Sequence, residues 1–176
     1  MSGMTCSKVA IGGTFDRLHI GHKRLIDTAL SLGCDEIVVG VVSNSLIKSK
    51  ALSELIKPFN ERVKIIGDYI RSKARNVRLK IVELTDPYGP TIDDPSIDVI
   101  VVSEETLPRA IEINSIREKK GLKPLKIVVV EIVKAEDGRP LRATRVRLSE
   151  VDKDGKLLVR FVTPSAGGVF DEGLKD

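Results

Sequence analysis

GGTFDRLHIGH, Gly12 to His22, decides how the chain is read. It follows a short apolar run, Val9 to Ile11, and precedes a segment in which Leu25, Ile26, Ala29, Leu30 and Leu32 recur at helical spacing until Gly33. The order is strand, glycine turn, helix. The same stretch carries both of the chain's histidines, His19 and His22, three positions apart.

Outward from this turn the alternation continues. EIVVGVV (36–42) has the apolar density of a buried strand, and 43–58 is a polar loop closed by Pro58. NERVKIIGDYIRSKA (60–74) predicts a helix that Asn60 caps, with Val63, Ile66 and Ile70 on one face. VRLKIVEL (77–84) alternates as a half-exposed strand does, 85–95 is a loop of Pro and Asp, and IDVIVVS (97–103) is a strand. A helix from Glu104 ends at Gly121, and KIVVVEIV (126–133) is the last strong strand. Five strands interleaved with helices predict an α/β, Rossmann-like, doubly wound parallel sheet with helices on both faces. After Lys134 the pattern gives way to a turn, a short helix opening near Ala143 or Thr144, and a second turn at Asp154-Gly155. The expected organisation is one domain over 1–157 and a tail over 158–176 with one possible strand, the remainder disordered or draped on the surface.

A chain of 176 residues is long enough to bury about 70% of its unfolded surface around one core. No apolar run reaches the length of a membrane span, and the seven residues before Lys8 cannot hold a signal peptide's apolar segment, so a cytoplasmic protein is expected. In that compartment Cys6 and Cys34 read as two free thiols. The net charge of +4 is modest, but from Ser43 to Lys80 ten Lys/Arg face three Asp/Glu, and Arg139 to Arg147 holds four Arg and no acid. Such runs suit anions. With no Trp, two Tyr and four Phe the chain lacks stacking platforms for bases, so no nucleic-acid partner is expected.

Ligands of open α/β sheets bind beyond the carboxyl ends of the strands, where the first strand's turn places both histidines. A helix N-terminus there offers unpaired N–H groups and partial positive charge to a phosphate, and cationic imidazoles beside it would complete a phosphate clamp. Glycines ahead of the pair let backbone and nucleotide approach closely. Zinc would need further ligands that the chain does not space correctly, and neither a P-loop nor a dinucleotide fingerprint occurs. The plainer reading is that both histidines cap or pack the helix.

GGTFDRLHIGH resembles the signature of the nucleotidyltransferase superfamily, whose H-x-G-H binds the phosphates of a nucleoside triphosphate. His19-Ile20-Gly21-His22 also spells the class I aminoacyl-tRNA synthetase tetrapeptide, but a chain of this length leaves no room for a tRNA-reading module. LIKSKALSELIKPFNERV, DPYGP, VVSEET and INSIR resemble, in that order, the phosphopantetheine adenylyltransferases of archaea and of the eukaryotic coenzyme A synthase. DGRPLRATRVR sits where that group shows D-G-x-x-I-S-S-T-R-I-R, so Leu141-Arg142-Ala143 departs from it, with Arg142 substituting by charge or ATP binding weakened.

The resemblance implies transfer of AMP from ATP to 4′-phosphopantetheine, giving dephospho-coenzyme A and pyrophosphate, with Mg²⁺ carried by the ATP phosphates and no metal site in the protein. It implies that Gly13, Thr14, Phe15, His19 and His22 contact ATP, with His22, Thr14 and Lys48 catalytic. Ser103, Glu104, Glu105 and Thr106 match the adenosine-side loop. Thr144, Arg145 and Arg147 suit the β and γ phosphates, although arginines two apart cannot share a helical face, so one of them is structural. Thr14, Lys48, Lys50 and Arg62 match the acceptor side, with Lys48 and Lys50 not distinguished. Asp16 shapes the loop. The competing functions are a sibling transferase acting on FMN, nicotinamide mononucleotide or glycerol phosphate, a nucleotide sensor without catalysis, and an RNA-binding module. The oligomeric state is not readable from the sequence.

Overall fold

The computed structural model describes residues 6–48, 53–148, 150–156, 158–161 and 172–174. Strands β1 (Lys8–Gly13), β2 (Glu36–Val42), β3 (Arg78–Leu84), β4 (Ile97–Ser103) and β5 (Lys126–Val130) form one parallel sheet in the order β3-β2-β1-β4-β5. This is the doubly wound, Rossmann-like α/β arrangement. The chain reverses its direction of winding between β1 and β4, and the carboxyl ends of those two neighbours are Gly13 and Ser103. A ligand crevice belongs at such a switch point.

Helices α1 (Ile20–Ser31) and α3 (Phe59–Lys73) bury Ile26, Ala29, Ile66 and Ile70 against Val9, Ile11, Ile37, Val39 and Val41 on one face. The opposite face packs α4 (Leu107–Lys119) through Ala110 and Ile113 against Ala10, Ile100 and Val102. Gly33 and Gly121, read as helix stops, have φ of 70° and 75°, the left-handed conformation that closes a helix. A short α5 (Ala143–Arg147) packs with Ala135, Leu141 and Val151 in a small separate cluster.

The structure corrects four expectations. The 43–58 segment contains a short α2 (Asn44–Ile47) and a 3₁₀ turn at Ser53–Leu55. Asn60 does not cap α3: Pro58 holds the cap position, and Asn44 Oδ1 accepts the Phe59 N–H at 3.0 Å from across the loop. The last strand ends at Val130, so Glu131, Ile132 and Val133 leave the sheet. Finally, Cys6 and Cys34 are not free but joined in a disulfide, with Cα atoms 4.5 Å apart. β1 pairs with β2 in a register that sets Lys8 beside Glu36, and each cysteine lies two residues before its member of that pair. Parallel pairing therefore delivers the two thiols to one place. In the chain-entropy model a bridge closing a loop of this size contributes about 3.6 kcal/mol.

In the tail, β6 (Val159–Phe161) pairs antiparallel with β7 (Glu172–Leu174), one strand more than expected. Among the described residues no helix is long and apolar enough to cross a membrane.

Candidate active site

A cavity of about 510 Å³ opens at the switch point, between the carboxyl ends of β1 and β4 and the amino end of α5. Gly13, Thr14, Phe15, His19 and His22 line one side, Ser103, Glu105 and Thr106 another, and Arg142, Thr144 and Arg147 a third.

The turn that builds the first side is strained. Phe15 and Arg17 have φ of 51° and 53°, a conformation that residues with a Cβ adopt reluctantly. Three contacts hold it. Phe15 is buried, with its ring 5.5 Å from that of His22, Arg17 Nη2 donates to the Leu55 carbonyl at 2.9 Å, and Asp16 is wholly buried among hydrogen bonds.

The two histidines form a reciprocal cap on α1. His19 Nδ1 accepts from the N–H groups of Gly21 and His22 at 3.0 and 3.3 Å, and His22 Nδ1 accepts from the His19 N–H at 3.2 Å. This is a capping box in which imidazoles replace the usual Ser/Thr and Glu. Gly21 is what permits it, because a Cβ there would lie 2.9 Å from His19 Cε1. The two rings stack, centroids 3.7 Å apart and planes at 17°. A backbone N–H can only donate, so each Nδ1 is unprotonated and each ring carries its proton on Nε2.

Two parts of the expected clamp are thereby revised. The rings are neutral, not cationic: burial pushes His19 down to about 4, with Arg147 adding to the effect, and pushes His22 down to about 3, with His19 and Arg147 adding. Protonating either Nδ1 would also break a cap. Nor are the first N–H groups of α1 left for a phosphate. The Ile20 N–H donates to the Lys153 carbonyl at 2.9 Å, those of Gly21 and His22 to His19, and that of Lys23 to the His19 carbonyl at 3.1 Å. The Nε2–H of each ring lies outside the cap. Capping, posed by the sequence as an alternative to ligand binding, uses only the Nδ1 edge of each ring.

The arginines divide by place. Arg145 is buried against Asp137 and Glu150, with Nη2 2.5 Å from Asp137 Oδ2, and outside the cavity, so it is the structural member of its pair. Arg147 lines the cavity, donating through Nη1 to Asp16 Oδ2 at 2.8 Å and through Nη2 to Thr144 Oγ1 at 3.0 Å. Arg62, expected on the acceptor phosphate, is wholly buried beneath the turn. It donates to the carbonyls of Lys57, Thr14 and Val42 and to Asn44 Oδ1 at 2.8 to 3.2 Å, so its guanidinium is committed to three backbone carbonyls and one side-chain amide.

Ser103 and Thr106 bond each other, the Thr106 hydroxyl accepting the Ser103 N–H at 3.0 Å instead of capping α4. Glu104 does not line the cavity, and its Oε1 accepts the N–H of Ile132, which does, at 3.4 Å. Glu105 pairs with Arg142 across the cavity lining, which occupies the guanidinium that was expected to substitute for the missing hydroxyls. Lys48 is exposed and lines a second cavity of about 340 Å³ with Asn44, Ser53 and Lys57, and Ile56 borders both cavities. Lys50 lies outside the described residues. Sequence reasoning placed Gly21 in the H-x-G-H turn but missed the His19 ring contact that it permits, and it missed the Glu131–Val133 wall because an apolar run extending a strand does not mark where the strand stops.

Residues 10–149 match the cytidylyltransferase-like family. A phosphopantetheine adenylyltransferase of Methanopyrus kandleri is 46% identical over 146 residues, 83% of this chain and 91% of that protein. The chain belongs to the archaeal phosphopantetheine adenylyltransferase family. The adenylyltransferase of Methanothermobacter thermautotrophicus is 42% identical over 155 residues, covering 88% of this chain and 92% of its own. A solved protein of unknown function from Archaeoglobus fulgidus superposes with a TM-score of 0.63 at 40% identity, over 70% of this chain and 88% of that one. The family resemblance first seen in the H-x-G-H turn thus extends through α5.

Proposed function

We propose that the protein transfers the adenylyl group of ATP to 4′-phosphopantetheine. An acceptor phosphate oxygen forms a bond to the α-phosphorus of ATP, the bond from that phosphorus to the β-bridging oxygen breaks, and pyrophosphate leaves, giving dephospho-coenzyme A. The nucleophile is already an anion, so no general base is needed. The protein's part is in-line placement and hydrogen-bond donation where negative charge gathers in the transition state.

The observation that carries this reading is the reciprocal histidine cap, which fixes two Nε2–H donors at a cavity on the switch point. His22, with Thr14 and His19 beside it, serves the α-phosphate, and Gly13 and Phe15 shape the turn under it. Arg147 and Thr144 face the outgoing phosphates, Ser103, Glu105 and Thr106 the adenosine. Lys48 holds the acceptor phosphate at the second cavity. Mg²⁺ enters on the triphosphate, consistent with a lining of imidazole and guanidinium donors, which suit phosphate oxygens more than a cation. The family's archaeal members support this assignment, and the setting we infer for it is cytoplasmic. Pyrophosphate release from MgATP with a panel of acceptors tests it. Turnover with 4′-phosphopantetheine and none with FMN, nicotinamide mononucleotide or glycerol phosphate is expected, and turnover with one of the latter alone would reassign the acceptor.

A further inference from the structure

Asp16 is wholly buried, and its two oxygens serve different parts of the molecule. Oδ2 accepts from Arg147 Nη1 at 2.8 Å, on the main cavity. Oδ1 accepts from the Lys57 N–H at 3.1 Å, on the second cavity. The Lys57 carbonyl in turn accepts from Arg62 Nε at 2.8 Å, and Arg62 Nη1 returns to the Thr14 carbonyl at 2.9 Å, in the lining of the main cavity. A closed circuit of buried charge and backbone therefore joins the β1–α1 turn to the segment ahead of α3 and to Arg62, and Asp16 ties α5 to it through Arg147.

Stability alone does not account for it. Buried ion pairs are commonly no more stabilising than well-packed apolar side chains, whereas removing one partner from such a pair is strongly destabilising. What the circuit supplies is fixed geometry at the two places where the substrates must meet.

We propose that Asp16 is a positioning residue shared by both substrate sites: Oδ2 holds Arg147 in place for the triphosphate, and Oδ1 holds the Lys57 backbone that forms the acceptor cavity. This rests on the assignment of ATP to the main cavity and the acceptor to the second. An amide at position 16 separates the two duties. Its oxygen can still accept the Lys57 N–H, but its NH₂ group cannot accept from Arg147.

The experiment is a calorimetric double-mutant cycle on the full chain, measuring the binding of Mg²⁺ with α,β-methylene-ATP and, separately, of 4′-phosphopantetheine. Asp16→Asn should weaken the ATP analogue about tenfold or more, the scale of a lost charge-assisted hydrogen bond, and leave acceptor affinity at the parental value. Arg147→Gln should show the same selective loss, and the double variant should bind no worse than Arg147→Gln alone. Asp16→Ala should weaken both ligands. Parental ATP affinity in Asp16→Asn, or additive losses in the double variant, would overturn the proposal. Should Asp16→Asn not fold, Arg147→Lys carries the test: it keeps the charge but not the fork that joins Asp16 to Thr144. The same ATP-selective loss is expected there, and parental ATP affinity would again overturn the proposal. Absence of adenylyl transfer in the parent would defeat the assigned reaction while leaving this binding cycle readable.

Discussion

The α1 side and the α5 side of the main cavity obtain their hydrogen-bond donors by opposite means. On the α1 side the donors are neutral imidazoles, locked in one tautomer because their Nδ1 atoms are taken by the helix cap. On the α5 side the donor is a guanidinium, held by a buried carboxylate and a threonine hydroxyl. A locked neutral donor gives direction with little charge. A charged donor gives attraction for a polyanion, and it also keeps its neighbours neutral, since Arg147 helps to hold both histidine pKa values down.

The difference can be broken from either side. His22→Ala removes the donor nearest the proposed reacting phosphorus and should lower turnover by roughly a hundredfold or more, read by pyrophosphate release. Turnover at the parental rate would remove the α1 side from the chemistry. Arg147→Gln and Arg145→Gln sharpen the α5 side. The first should raise the KM for ATP about tenfold, while the second, outside the cavity, should lower the melting temperature and leave that KM unchanged. Equal KM effects would undo the division of the two arginines.

Acid should expose the imidazoles thermodynamically. Their folded pKa values, about 4 and about 3, lie below the ordinary 6.5. Between those limits the unfolded chain binds more protons than the folded one. Their contribution is therefore complete above pH 6.5 and is lost as pH falls toward 4 and then 3. Urea midpoints measured in parent and His19→Asn/His22→Asn should fall with acid in the parent and stay flatter in the variant. The smallest effect belongs to His19→Asn alone. Asparagine is a good N-cap, so helix stability should change by less than about 1 kcal/mol while turnover drops. A large stability loss would show that the imidazole's value lies in its packing.

Much of this frame was legible in the sequence because the signals are local. An apolar run ending in glycines marked β1 and a dense apolar run marked β2, Gly33 and Gly121 marked helix ends, and the Gly12–His22 turn marked the crevice. What escaped is non-local. The partners of Asp16 lie 41 and 131 positions away, and no spacing rule connects them. Arg62 and Arg147 look alike in a string of residues, yet one faces backbone carbonyls and the other a cavity, a distinction made only by packing. The disulfide was within reach: aligning β1 with β2 by their apolar runs sets Cys6 opposite Cys34, but the expected compartment argued for thiols. The histidines carried the subtlest case. The sequence favoured a phosphate clamp over a helix cap, and the choice between cationic and neutral forms depends on which edge of each ring the backbone uses.

That choice is the centre of the account. Long-range ¹H–¹⁵N correlation spectra of the histidine side chains at pH 5.5 read it directly. Both rings are expected as the neutral Nε2–H tautomer with unprotonated Nδ1, at a pH where an ordinary histidine is charged. Imidazolium signals from His19 and His22, with both nitrogens protonated, would contradict it.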